Sequence, residues 1–127
     1  MPFISFNKAT DPAAPDDLRI NTTAVLYVEA SRPDLVGQTT IHMLGQGSAV
    51  NAVLEPIGTV VRAIGGLVAG QRHYLASPPN AGASTVYILP ANVSHIRPNQ
   101  SAAPEFWFIK FIDGSELRVV APLSDGL

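Results

Sequence analysis

The chain of 127 residues carries eight Lys or Arg, ten Asp or Glu and a formal charge of −2, with 46% hydrophobic and only 14% charged residues. Such a length supports one compact domain with a single shared core, and so little charge leaves part of the exterior suited to another protein surface. The few, scattered basic residues argue against a nucleic-acid partner, and the absence of cysteine excludes disulfides, thiolate metal sites and a cysteine nucleophile.

Residues 1–17 read as an N-terminal arm. Phe3-Ile4-Ser5-Phe6 alternates and suits a strand, paired either within its own domain or with another sheet edge, where Phe3, Ile4 and Phe6 would be the anchors. The Pro-, Ala- and Asp-rich stretch behind it builds no packed element. From Leu18 to Val28 a single strand is expected, broken at Ser31-Arg32-Pro33-Asp34. Thr39 to Leu44 makes the next strand, Gly45-Gln46-Gly47 its turn, and Ser48 to Val53 the return. Pro56 at a first helical position, apolar residues at 57, 60, 61 and 64, and the stop Gly65-Gly66 predict a short amphipathic helix over about 56–64. Residues 67–84, ending in Ser77-Pro78-Pro79-Asn80, read as an excursion or mobile loop. Beyond it come strands around Val86 to Leu89, Val93 to Arg97 and Phe106 to Ile112, the turn Asp113-Gly114, and Glu116 to Val120.

These elements repeat. Ile20, Val25, Val28, Ile41 and Met43 are answered 68 positions later by Ile88, Val93, Ile96, Ile109 and Phe111, and the offset falls to 67 in the hairpin turn, where Gly47 answers to Gly114 and Val53 to Val120. The expected fold is mainly β: two pseudo-symmetric antiparallel three-stranded meanders sharing one core, with one short helix. The single domain 18–127 then consists of repeat one (18–66), a connecting loop (67–84) and repeat two (85–127). No second helix follows Pro122, so the second repeat is expected to borrow its cover, from a neighbouring subunit in the first place and otherwise from the 67–84 segment or the arm. Phe106, Trp107, Phe108 and Phe111 are its candidate interface or core anchors.

For chemistry the yield is small. His42, His73 and His95 stand outside metal-ligand spacing, and no cofactor motif is present. Like its repeat counterpart Lys110, His42 is expected to face solvent. Asp113, Glu116, Glu29 and Glu105 fall in turns or at strand edges where carboxylates meet water, and no pocket with convergent titratable groups is expected. Neither Gly47-Ser48 nor Gly114-Ser115 forms a nucleophile elbow. An enzyme is not expected. Nor is a membrane span, since no apolar run approaches the roughly 18 residues required, and the first residues lack a signal peptide's features.

The pattern Ile20-Asn21, Val25, Val28-Glu29, Thr39-Thr40-Ile41-His42-Met43, Gly47-Ser48, Val53-Leu54-Glu55-Pro56-Ile57, Val60 and Ile64 resembles the flagellar FlbD-like family of small β proteins ending in one helix. It covers residues 20–64 once and 88–120 again without the helix. The strands also look somewhat like the β repeats of LytTR-type DNA-binding modules, whose phosphate-contacting basic side chains are absent here. Neither resemblance implies a catalytic residue. Small size, apolar composition, a Pro-rich arm and an uncovered second repeat together resemble the structural proteins of tailed-phage virions, such as capsid decoration or cement proteins. The expectation is a non-enzymatic assembly protein, a homo-oligomer contacting other capsid proteins, located in the virion and made in the host cytoplasm. The alternative is a cytoplasmic small-ligand or peptide-binding module with its site between the repeats.

Overall fold

A computed structural model describes residues 3–8, 17–31, 37–46, 51–72, 85–99, 106–120, 123 and 125–127. In chain order its elements are β1 (Phe3–Asn7), β2 (Asp17–Asn21), β3 (Val25–Ala30), β4 (Thr39–Met43), β5 (Asn51–Val53), α1 (Ile57–Ile64), β6 (Val68–Gln71), β7 (Thr85–Ile88), β8 (Val93–Asn99), β9 (Phe106–Phe111) and β10 (Glu116–Val120). The fold is mainly β, and every ladder is antiparallel. The strands run in the orders β5-β4-β3-β7-β6, β10-β9-β8 and β1-β2.

The expected duplication is present down to its irregularities. Strand β3 sets Val28 opposite Ile41 of β4 and bulges between Val25 and Tyr27, while β8 sets Ile96 opposite Ile109 of β9 and bulges between Val93 and His95. A 3-10 turn over Thr22–Ala24 leads into β3, and another over Pro90–Asn92 leads into β8. The first of these breaks what the sequence suggested was one strand from Leu18 to Val28. Asn21 accounts for the break, because its side-chain oxygen accepts the Thr23 backbone N–H and holds the chain in a turn.

Two details of the repeat need correction. Val53 lies opposite Thr39, whereas Val119, not Val120, lies opposite the Thr39 counterpart Trp107. The first hairpin is therefore longer by two residues rather than one. Two is what the pleat requires, since a single-residue slip would turn the return strand's buried face to the other side. Accordingly Val53 and Val119 are both buried.

The second correction concerns residues 67–84, read as an excursion. Their start is strand β6, the counterpart of β1: Ile4 faces Ile20 as Val68 faces Ile88, and the bridge from Lys8 to Val53 is matched by one from Arg72 to Val119. Gly70 occupies the Phe6 position, and a β-carbon there would already meet Val119 at 3.6 Å and Ile88 at 3.7 Å. Residues 73–84 lie outside the described set. Among the described residues each repeat thus has five strands, a meander preceded by a pair of antiparallel strands.

Two apolar clusters form the interior. One joins Phe6, Ile20, Val25, Val28, Ile41 and Val53 with Val60 of α1. Pro56 stands just ahead of the helix rather than inside its first turn. Gly65 ends it at φ 74° and ψ 157°, a backbone region open essentially to glycine alone. The other cluster joins Leu26 and Tyr27 of β3, Val86 and Ile88 of β7, Ile109 and Phe111 of β9, and Leu117 and Val119 of β10, with Leu123 and Leu127 packed against it. This overturns the expectation that a neighbouring subunit covers that face of the second meander. Strands β3 and β7, with the two C-terminal leucines, cover it from within the same chain.

Candidate interaction surface

Five strands form one sheet because β7, from the second repeat, zips onto β3 of the first. Tyr27, Val28 and Glu29 lie opposite Ile88, Tyr87 and Val86. Strand β3 is consequently buried from Val25 through Glu29. Glu29 is a carboxylate in an apolar setting, and its partners explain why it is tolerated. Both of its oxygens accept Arg72 Nη1 at 2.7 Å, and Oε1 lies 3.0 Å from His42 Nε2. Burial works to raise the Glu29 pKa, but hydrogen bonds from His42 and Arg72 and their positive charge outweigh it, holding the carboxyl below its ordinary value. The His42 ring stacks on Tyr27 at 4.0 Å between centroids, and Tyr27 stacks on Phe111 at 5.8 Å.

One sequence expectation fails here. Glu29 and His42 were expected to face water. They converge because β3 is covered on both faces, so that even its polar members lie inside. Chemically the group is a clamp: Glu29 from repeat one holds Arg72 from repeat two, and both carboxylate oxygens are engaged in doing so.

The repeat has a second, equivalent place where β2 would zip onto β8. Among the described residues it is open. Strand β2 pairs with β1 alone and β8 with β9 alone. Burial follows the pairing: no residue of β8 is buried, and Ile96 is only half-buried where its counterpart Val28 is fully so.

Next to this edge lies the outer face of β8, β9 and β10. Phe108 is flanked there by Arg97 and Arg118, directly opposite on the neighbouring strands, with guanidinium carbons 4.3 and 5.5 Å from its ring centroid. Phe106 meets Phe108 edge-on at 5.0 Å. Lys110 and Arg97 share the carboxylate of Glu116 at 3.8 and 3.9 Å, distances that stabilise little at a surface.

The anchors expected from sequence are thus dispersed. Phe106 and Phe111 are buried, Trp107 packs half-buried against the second cluster, and Phe108 lies on the outer face. Of the arm, Phe6 belongs to the first cluster, Ile4 packs against it, and Phe3 is 55% exposed. The arm reading does not survive for residues 3–8, because β1 pairs with β2 of its own chain and Phe6 is committed to the core. Glu116 is exposed as expected. So is Asp113, which serves its turn: it accepts Gly45 N–H at 2.9 Å and both the N–H and hydroxyl of Ser115. Slight desolvation opposes the Asp113 charge, but these bonds outweigh it and lower the pKa. Gly45 and Asp113 are themselves counterparts, so the two hairpins touch where the repeats meet. His73 and Glu105 lie outside the described residues.

No family, curated protein or solved structure matches this chain. Its geometry therefore has to speak for itself. No described helix is long and apolar enough to cross a membrane, and no group of three or more His, Cys, Asp or Glu among the described residues could hold a metal ion.

Proposed function

We propose that the protein is a non-enzymatic assembly component that works by burying surface against other protein chains. The observation that carries this reading is the broken internal symmetry: one seam between the repeats is zipped and clamped, while its equivalent at His95, Ile96 and Arg97 pairs with no second strand among the described residues. Exposed sheet edges template strand addition, and a domain that closes one such edge and keeps the other presents it to a partner. For self-association the candidate contacts are the exposed apolar side chains Phe3 and Ile112, away from that edge in sequence and 55% and 57% exposed. The virion setting, as a capsid decoration or cement protein, belongs to this proposal and rests on small size, low charge and repeated architecture.

Native mass spectrometry of the purified chain at rising concentration tests the self-association. A discrete homo-oligomer is expected, and replacing Phe3→Ser and Ile112→Ser together should return it to a monomer that still unfolds cooperatively, with a melting temperature that no longer rises with concentration. A chain that stays monomeric throughout, and whose melting shifts only on adding a small ligand, would speak for the binding-module alternative.

A further inference from the structure

The closed seam specifies what belongs beside β8. On β3, an antiparallel strand sets Ile88, Tyr87 and Val86 opposite Tyr27, Val28 and Glu29, whose counterparts on β8 are His95, Ile96 and Arg97. The chain's own candidate, β2, does not take that place, and charge gives a reason. Where the closed seam has Glu29 beside Arg72 and His42, the matching positions of the open seam are Arg97 and Lys110 of the second repeat and Lys8 of the first. The clamp has been replaced by three cations.

We infer that the edge of β8 at His95, Ile96 and Arg97, open among the described residues, docks an extended segment of a partner protein that carries an acidic side chain against Arg97. This deepens the assembly reading above and rests on it. Charge complementarity chooses the occupant. Three of the eight Lys and Arg residues, Arg97, Lys110 and Arg118, stand on this one sheet face, with Glu116 as the carboxylate between two of them. A second copy of the chain fits poorly: β8 laid antiparallel on β8 about Ile96 sets Arg97 against His95, and β2 at the closed-seam register sets Leu18 against Arg97, so neither supplies a carboxylate. A strand with a carboxylate opposite Arg97 instead supplies the opposite-charge pair that stabilises neighbouring strands. Its backbone satisfies the outward N–H and C=O groups of β8, and its apolar residues complete the cover of Ile96. Pro98 lies just beyond the three positions used at the closed seam and limits the ladder to that span.

Two synthetic peptides spanning residues 82–91 test this, one with Val86→Glu and the other with Val86→Lys, because position 86 lies opposite the Arg97 counterpart at the closed seam. Each is titrated into the isotope-labelled full chain while backbone amide shifts and hydrogen exchange are followed. The Val86→Glu peptide should shift the amides of His95, Ile96 and Arg97, protect those among them that point away from β9, and bind at least about tenfold tighter than the Val86→Lys peptide, a ratio worth about 1.4 kcal/mol. Arg97→Glu in the chain should reverse that preference. Arg97→Gln should abolish it, and unchanged β9 amides would show that the variants remain folded.

Equal binding of both peptides, or no change at β8, overturns the inference. So does protection of β8 by the chain's own rising concentration without peptide, which would make the occupant a second copy. An oligothymidylate that displaces the amides around Phe108 and Arg118 while the acidic peptide leaves β8 untouched would overturn it in favour of a nucleic acid. Since self-association is read by mass and through Phe3 and Ile112, failure here is distinguishable from failure of the assembly reading.

Discussion

Phe111→Ala should destabilise the protein by about 4 kcal/mol, the loss typical of emptying a buried aromatic site. Phe111 is 1% exposed, sits in the second core cluster and supports Tyr27, which in turn carries the His42 ring. The effect should therefore reach the clamp and not remain a local cavity. Its repeat counterpart Met43 is only half-buried, and Met43→Ala should cost no more than about 2 kcal/mol. Urea denaturation of both variants measures the difference. Equal losses would mean that the two repeats are packed alike, contrary to the asymmetry described above.

Removing the clamp's acid comes next in size. Glu29→Ala should cost about 3 kcal/mol, the lower end for breaking a buried ion pair, because Arg72 keeps 26% of its side chain exposed. Much of that loss is the penalty of leaving Arg72 and His42 without their acceptor. Replacing both partners, Glu29→Met with Arg72→Met, should recover most of it. The pH dependence has a definite sign. The folded Glu29 pKa lies below its value in the unfolded chain, so its contribution is complete above the unfolded value near 4.5 and disappears as pH falls through the folded one. Wild type should accordingly lose stability on acidification more steeply than Glu29→Gln. Parallel acid limbs for the two proteins would show that Glu29 takes no part in the linkage.

The middle of each repeat was legible in the sequence because the same apolar spacing writes the same register. Ile20, Val25, Val28 and Ile41 match their partners in type and face, and α1 announced itself through Pro56 and Gly65-Gly66. The outer hairpins were not legible. Strand β6 differs from β1 in its side chains, with Gly70 in place of Phe6, and it is displaced relative to the rest of its repeat, so no match of residue types could align them.

The buried clamp was missed for a different reason. A polar residue on a strand reads as facing outward, and Arg72 belonged to a stretch read as loop. A signal existed nonetheless. Val25-Leu26-Tyr27-Val28 is an unbroken apolar run, the mark of a strand covered on both faces, and Glu29 continues that strand. Its counterpart Val93-Ser94-His95-Ile96-Arg97 is interrupted by polar residues. The contrast between the closed seam and the open one was written in those two runs.

Backbone hydrogen exchange of β3 and β8 in the isolated, dilute protein tests the central claim most directly. Exchange should be slow along β3 from Tyr27 to Glu29, which is bonded on both sides, and faster by orders of magnitude at the amides of β8 that point away from β9. Equally slow exchange at those β8 amides would mean that the chain closes both seams by itself, and the edge offered to a partner would not exist.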